Sequence, residues 1–162
     1  MIRRTGRQSE KSYLNKRIKY FDMGIEMNTE GLDEYLEAQV ERRIKALIFG
    51  LSAIGATVTN EAKTGKTYKD QTGALISSTG YVVIRDGVII NGSGFSGIGA
   101  RVGEEAIKAQ IAKYSTGVWL IVVAGMNYAA AVEARNYNVL TSAELLADQV
   151  IPQLMQQLGF TK

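Results

Sequence analysis

The 162-residue chain contains no histidine, no cysteine and a single proline. Without cysteine there is no disulfide framework, no thiolate nucleophile and no sulfur metal site. Without histidine the usual general base near neutral pH is missing, and with it the commonest metal ligand. Ser-His-Asp and Cys-His catalysis are thereby excluded, and zinc sites nearly so. The longest apolar stretches, near 118–132, fall short of the roughly 20 residues a spanning helix needs. The basic start of the chain is not followed by the apolar core of a secretory signal. A soluble protein made in a reducing cytoplasm is expected, with a composition that leans towards binding or structure.

What is present is unevenly distributed. Residues 1–20 carry Arg3, Arg4, Arg7, Lys11, Lys16, Arg17 and Lys19 against Glu10 alone, while residues 21–162 hold 12 basic and 15 acidic side chains. The net charge of +3 therefore belongs to an arm, residues 1–17, on a mildly acidic body spanning 18–162. An arm of this kind is either a solvated tail or a contact for phosphate or for an acidic protein surface. Tyr13, Tyr20 and Phe21 interleave with its cations in the manner of a nucleic-acid-binding segment. Tyr20 and Phe21, however, are better spent starting a strand.

Lys19–Met27 alternates apolar and polar residues with the period of a half-buried strand. Asn28 and Thr29 can cap a helix, and Leu32, Leu36, Val40, Ile44, Leu47, Leu51, Ile54 and Val58 then repeat at helical spacing, predicting a long amphipathic helix over 29–62. Tyr68–Leu75 reads as a polar linker. Tyr81–Arg85 and Val88–Ile90 flank Asp86-Gly87, a strong hairpin signal. Residues 91–101, rich in glycine, read as a mobile loop or insertion, followed by a short helix over 102–114. Val118–Ala124 is an apolar run expected to be a central strand. Thr141 and Glu144 have the spacing of a capping box opening a last helix over 141–158, in which Pro152 should cause a kink or an early end. The sum is an α+β domain: about four mainly antiparallel strands, with the long N-terminal helix and the C-terminal helix packed on one face.

Three segments invite a chemical reading. Gly65-Lys66-Thr67 matches the end of a phosphate-binding loop, but Asn60 stands where its first glycine belongs, so a basic helix terminus is the better account. Gly92–Gly97 has the letters of a dinucleotide fingerprint, yet its helix begins late and the expected acidic residue is missing. Glu133, beside Tyr128 and Arg135, is the one acidic residue between Glu105 and Glu144. With no second carboxylate at a suitable spacing, a structural bond explains it better than catalysis. No catalytic, cofactor or metal residue is expected.

The order of elements, with the segments Asp70–Ser78 and Asn127–Glu133, resembles the neck, or tail-completion, proteins of long-tailed double-stranded DNA phages. In that family a "D-TG-L--S" linker follows the first helix and a "YA--VE-G" segment follows the sheet. Thr72, Gly73, Leu75 and Ser78 match the first pattern, and Tyr128, Ala129, Val132 and Glu133 the second; Arg135-Asn136-Tyr137 stands where the glycine is expected. The resemblance covers about residues 20–160. It implies a structural virion protein at the head–tail interface, made in the host cytoplasm. Such a protein forms a homo-oligomeric ring of six copies, or alternatively twelve, between head-closure or connector proteins and the tail-terminator or tail-tube proteins, with genomic DNA passing through. It implies a tight turn at Thr72-Gly73, packing of Tyr128 at the end of the last strand, and a bond from Glu133 across a subunit boundary or to nearby backbone. Ring or partner contacts would then involve Arg3, Arg4, Arg7, Lys11, Lys16, Arg17, Tyr128, Glu133 and Arg135. A small basic-armed nucleic-acid-binding module is the alternative, and an enzyme using lysine, tyrosine or glutamate a third class.

Overall fold

The structure, a computed structural model, describes residues 31–160. The arm, the alternating segment Lys19–Met27 and the caps Asn28 and Thr29 lie outside the described residues. The chain divides into two compact units at Glu37/Ala38. Of the first, Gly31–Glu37 is described: Gly31 is left-handed, and the helix that starts at Leu32 has Asp33 and Glu34 in its first turn, where negative charge suits the helix dipole.

That helix, α1, runs Leu32–Thr64, two residues past the expected end. The described elements after it are α2 (Ala74–Ser77), β1 (Thr79–Arg85), β2 (Val88–Ser93), α3 (Ala100–Ile111), β3 (Val118–Ala124), α4 (Ala129–Glu133) and α5 (Thr141–Gln157). The class is α+β, with a three-stranded antiparallel sheet in the order β2-β1-β3. Among the described residues there are three strands; about four were expected, and the segment expected to form the other, Lys19–Met27, lies outside them.

The sheet is built on β1. Residues Thr79–Ile84 are all buried, because the two faces of this strand meet different layers. Tyr81 and Val83 pack with Leu47, Ile48 and Leu51 of α1 and Leu154 of α5. Val82 and Ile84 point the other way, onto Ile107 and Ile111 of α3 with Phe95 and Tyr114. Burial on both faces explains why β1 reads as a continuous apolar run rather than an alternating one; β3, at the edge of the described sheet, is half-buried, with Trp119 exposed. As expected, α1 and α5 share one face, α5 packing against α1 through Ala143, Leu146 and Ala147 around Val58 and Ala62. The helix expected over 102–114 begins at Ala100 and covers the opposite face.

The hairpin forms at Asp86-Gly87, with φ of 51° and 79°, the two positive angles that a two-residue turn requires. Asp86 also ties this turn to β3: its amide donates to the Gly117 carbonyl at 2.9 Å, and its carboxylate accepts the Gly117 amide at 2.8 Å. Residues 91–101 are not one loop. Asn91–Ser93 complete β2, Gly97–Gly99 form a 3-10 turn, and Ala100 opens α3. The Ser96 amide donates to the Ser77 carbonyl, the Gly99 amide to the Ser77 hydroxyl, and Lys63 Nζ to the Gly94 carbonyl. Glycine content misleads a reading of the sequence here, because these glycines serve close packing as well as turning: a Cβ at Gly99 would overlap the Ala74 carbonyl oxygen. Pro152, on the exposed side of α5, does not end the helix, which continues to Gln157.

Gly55 faces β1 from the middle of α1, and a Cβ there would overlap the buried Tyr81 ring. Alanine is the better helix former by about 1 kcal/mol, but forcing the ring aside costs about 1–3 kcal/mol. Gly55→Ala is therefore expected to lower stability in a urea denaturation series; a rise would show that Tyr81 yields freely.

Candidate functional site

Two short sequence patterns some fifty residues apart meet in space. The first begins at Asp70, whose carboxylate accepts the Ile76 amide at 2.9 Å. Thr72 Oγ1 accepts the Ala74 amide at 3.3 Å, and Gly73 has φ of 72°, a left-handed angle that side chains with a Cβ rarely adopt. These residues turn the chain into α2, which delivers Leu75 to the interior at 1% exposure. Ser78, fully buried, donates its hydroxyl to the Leu75 carbonyl at 2.8 Å, while its own carbonyl accepts the Gly125 amide just past β3.

The second pattern supplies the other wall. Ala129 and Val139 are buried against Leu75, with Val132, Met126, Ala124 and Tyr68 closing the cluster. Tyr128 stands at the start of α4, four residues beyond β3, and remains 39% exposed. It lies near Tyr68, whose phenol is pushed up to about 12 by burial and by nearby Asp70 and Tyr128. Arg135 is exposed.

Glu133 ends α4 and caps α5. One carboxylate oxygen accepts the Leu140 amide at 3.1 Å, the Thr141 amide at 2.9 Å and the Thr141 hydroxyl at 2.6 Å. Within this chain Glu133 thus bonds to nearby backbone and to Thr141. The Thr141/Glu144 capping box does not form; Thr141 gives its hydroxyl to Glu133, and α5 has no cap from a side chain of its own first residue. An anion at a helix N-terminus satisfies amides that the helix itself leaves free. Partial burial raises the Glu133 pKa, but the Thr141 hydroxyl and the amides of Leu140, Thr141 and Val139 outweigh it, leaving it below the ordinary carboxylate value.

Sequence reading missed Asn138. Its amide group donates to the Gly65 carbonyl at 2.7 Å and to the Ser142 hydroxyl at 2.8 Å, and its oxygen accepts the Ser142 amide at 2.9 Å. Its backbone amide donates to Thr67 Oγ1 at 2.8 Å. Asn138 therefore joins the end of α1 to the start of α5, and Gly65 and Thr67 serve this joint rather than a phosphate. The only signal in the sequence is an asparagine just before a helix, a common capping choice. The expected contacts Arg3, Arg4, Arg7, Lys11, Lys16 and Arg17 lie outside the described residues.

After α4 the chain makes a left-handed turn at Asn136, with φ of 63°. Asparagine is among the side chains that tolerate this region best.

The chain matches no protein-family model and shows no significant similarity to any curated protein or solved structure. Among the described residues no helix is long and apolar enough to cross a membrane.

Two outcomes are expected from this geometry. A depressed carboxylate pKa stabilises the fold above the unfolded value, and that contribution is lost as pH falls through the folded one. Glu133→Gln is accordingly expected to cost about 0.5–2 kcal/mol near neutral pH, as for loss of a helix cap, with the gap to the parent narrowing in acid; thermal melts over a pH series would reveal it, and a pH-independent gap would contradict the charge assignment. At Asn136, glycine should be tolerated whereas valine should lower the melting temperature, since a branched side chain at positive φ is strained; equal melts would remove the argument for a left-handed requirement.

Proposed function

We propose that this chain is a structural protein of the phage neck, forming a homo-oligomeric ring that joins the head-closure layer to the tail and lets DNA pass. The observation that carries this reading is the meeting of the two patterns. Leu75 of the first packs on Ala129 and Val132 of the second. Ser78 of the first holds the segment leading to the second through Gly125. Residues that look unrelated in the sequence thus cooperate as one structural joint, which supports reading the two patterns as parts of one scaffold. Three polar residues of the two patterns bond backbone amides: Asp70 that of Ile76, Thr72 that of Ala74, and Glu133 those of Leu140 and Thr141. That use fits a protein whose task is to hold shape.

The ring would take heterologous contacts between copies, with connector proteins on one side and tail proteins on the other. A basic arm in such a ring serves protein contact better than DNA contact, because each phosphate neutralised adds affinity that would retard passage.

Light scattering combined with electron microscopy of the purified protein tests the reading. The expected result is a discrete closed ring of six or twelve copies with an open centre, its mass unchanged by duplex DNA. A species that gains mass on duplex DNA and loses it as salt rises would overturn the proposal in favour of a nucleic-acid-binding module.

A further inference from the structure

The outer faces of α1 and α5 differ in charge. At 3.6 residues per turn, Arg42, Lys45, Phe49, Ala53, Ala56 and Asn60 share the side of α1 opposite its buried stripe of Leu51, Gly55, Val58 and Ala62. All six are exposed, Phe49 at 79%. No acidic residue occurs between Arg42 and Asn60; Glu41 and Arg43 flank the face on either side, and Glu41 is held in an ion pair with Arg85. On α5 the solvent side carries Leu145, Asp148, Gln149 and Pro152, with Glu144 on its flank; Leu145 is 60% exposed. No basic residue occurs anywhere in Thr141–Gln157.

Each face combines charge of one sign with one large exposed apolar side chain about a helical turn away: Lys45 with Phe49, and Asp148 with Leu145. The two faces are therefore complementary in charge and alike in apolar content. They belong to the same chain, so neither can satisfy the other within a copy whose α1 and α5 already pack together on their inner sides. We propose that the α1 outer face of one copy docks on the α5 outer face of the next, Phe49 and Leu145 entering the contact and Arg42 and Lys45 facing Glu144 and Asp148. This deepens the ring reading and rests on it.

Physical chemistry favours this occupant over others. Self-pairing of α1 with α1, or of α5 with α5, would oppose like charges and is disfavoured. Duplex DNA would meet the cations but would leave Phe49 and the flat Ala53/Ala56 surface unused. Those small residues instead allow a second helix to approach closely. Because the two patches differ, each copy keeps one of each free after a single contact. Repetition then proceeds head to tail and ends only when the chain of copies closes.

Sedimentation equilibrium over a range of concentrations, at two salt levels, tests the contact on the full chain. Wild type should self-associate, more weakly at higher salt. The double variants Arg42→Glu/Lys45→Glu and Glu144→Lys/Asp148→Lys should each associate at least about tenfold more weakly, as expected for reversing paired interface charges. Mixed in equal amounts, the two variants should associate again, since each then meets an opposite charge on the other; this recovery also shows that both are folded. A discrete ring that survives both reversals overturns the contact and leaves the ring reading intact. Loss of association without recovery on mixing also overturns the contact. A wild-type chain that stays monomeric throughout overturns the contact and counts against a self-assembled ring. Gain of mass on duplex DNA that Arg42→Glu/Lys45→Glu abolishes would assign the α1 face to nucleic acid instead.

Discussion

Everything in the described body depends on β1 being buried on both faces. Among the described strands it alone pairs with both others. Its odd residues Tyr81 and Val83 meet α1 and α5, and its even residues Val82 and Ile84 meet α3. Val83 and Ile84 have no measurable exposure. A strand placed so has no tolerant face, since a one-residue slip would exchange the side chains of two differently shaped layers. The register must therefore be fixed from both ends. Asp86 does this at one end through its two bonds to Gly117. Ser78 does it at the other through Gly125.

The second constraint is the joint between helices. Packing of α5 on α1 buries apolar surface but leaves the start of α5 with unpaired amides beside the end of α1, where carbonyls lack partners. Glu133 and Asn138 settle both problems. Glu133 takes the amides of Leu140 and Thr141, and Asn138 takes the Ser142 amide while giving its own hydrogens to Gly65 and Ser142. Burying a polar group unpaired costs about 1–3 kcal/mol, so this network decides whether apolar packing of the two helices is a net gain. It also explains why a lone glutamate, unsuited to paired-carboxylate catalysis, sits at the end of so short a helix.

Much of this architecture is legible in the sequence because periodicity follows burial. The stripe from Ile44 to Val58 marks α1, the run Val118–Ala124 marks β3 to the residue, and Asp86-Gly87 marks the hairpin. Legibility fails where a residue acts through a distant partner. Asn91-Gly92-Ser93 looks like loop because glycine and asparagine usually break strands, whereas here Gly92 lies so close to β1 that a Cβ would meet the Tyr81 carbonyl at 2.7 Å. Thr141 and Glu144 look like a self-contained cap because Glu133, eight residues before Thr141, cannot be placed without the fold. Likewise Asn138 speaks to Gly65 across 73 positions, a distance at which sequence pattern is silent.

The outer sides of α1 and α5 answer to different demands from the inner sides. Packing and capping absorb the inner sides of α1 and α5. The outer sides are free of those demands. A random exposed helix face would be expected to mix charges of both signs, which favours solubility and local pairing. Instead one outer face carries Arg42 and Lys45 with no acidic residue from 42 to 60, and the other carries Asp148 flanked by Glu144 with no basic residue from 141 to 157. Each also exposes a large apolar side chain that stability alone would replace with a polar one, since Phe49 and Leu145 contribute little burial where they stand. Sign-segregated charge with an apolar centre lowers the stability a single copy could reach. That cost is offset where the two unlike faces meet, which is the contact proposed between α1 of one copy and α5 of the next.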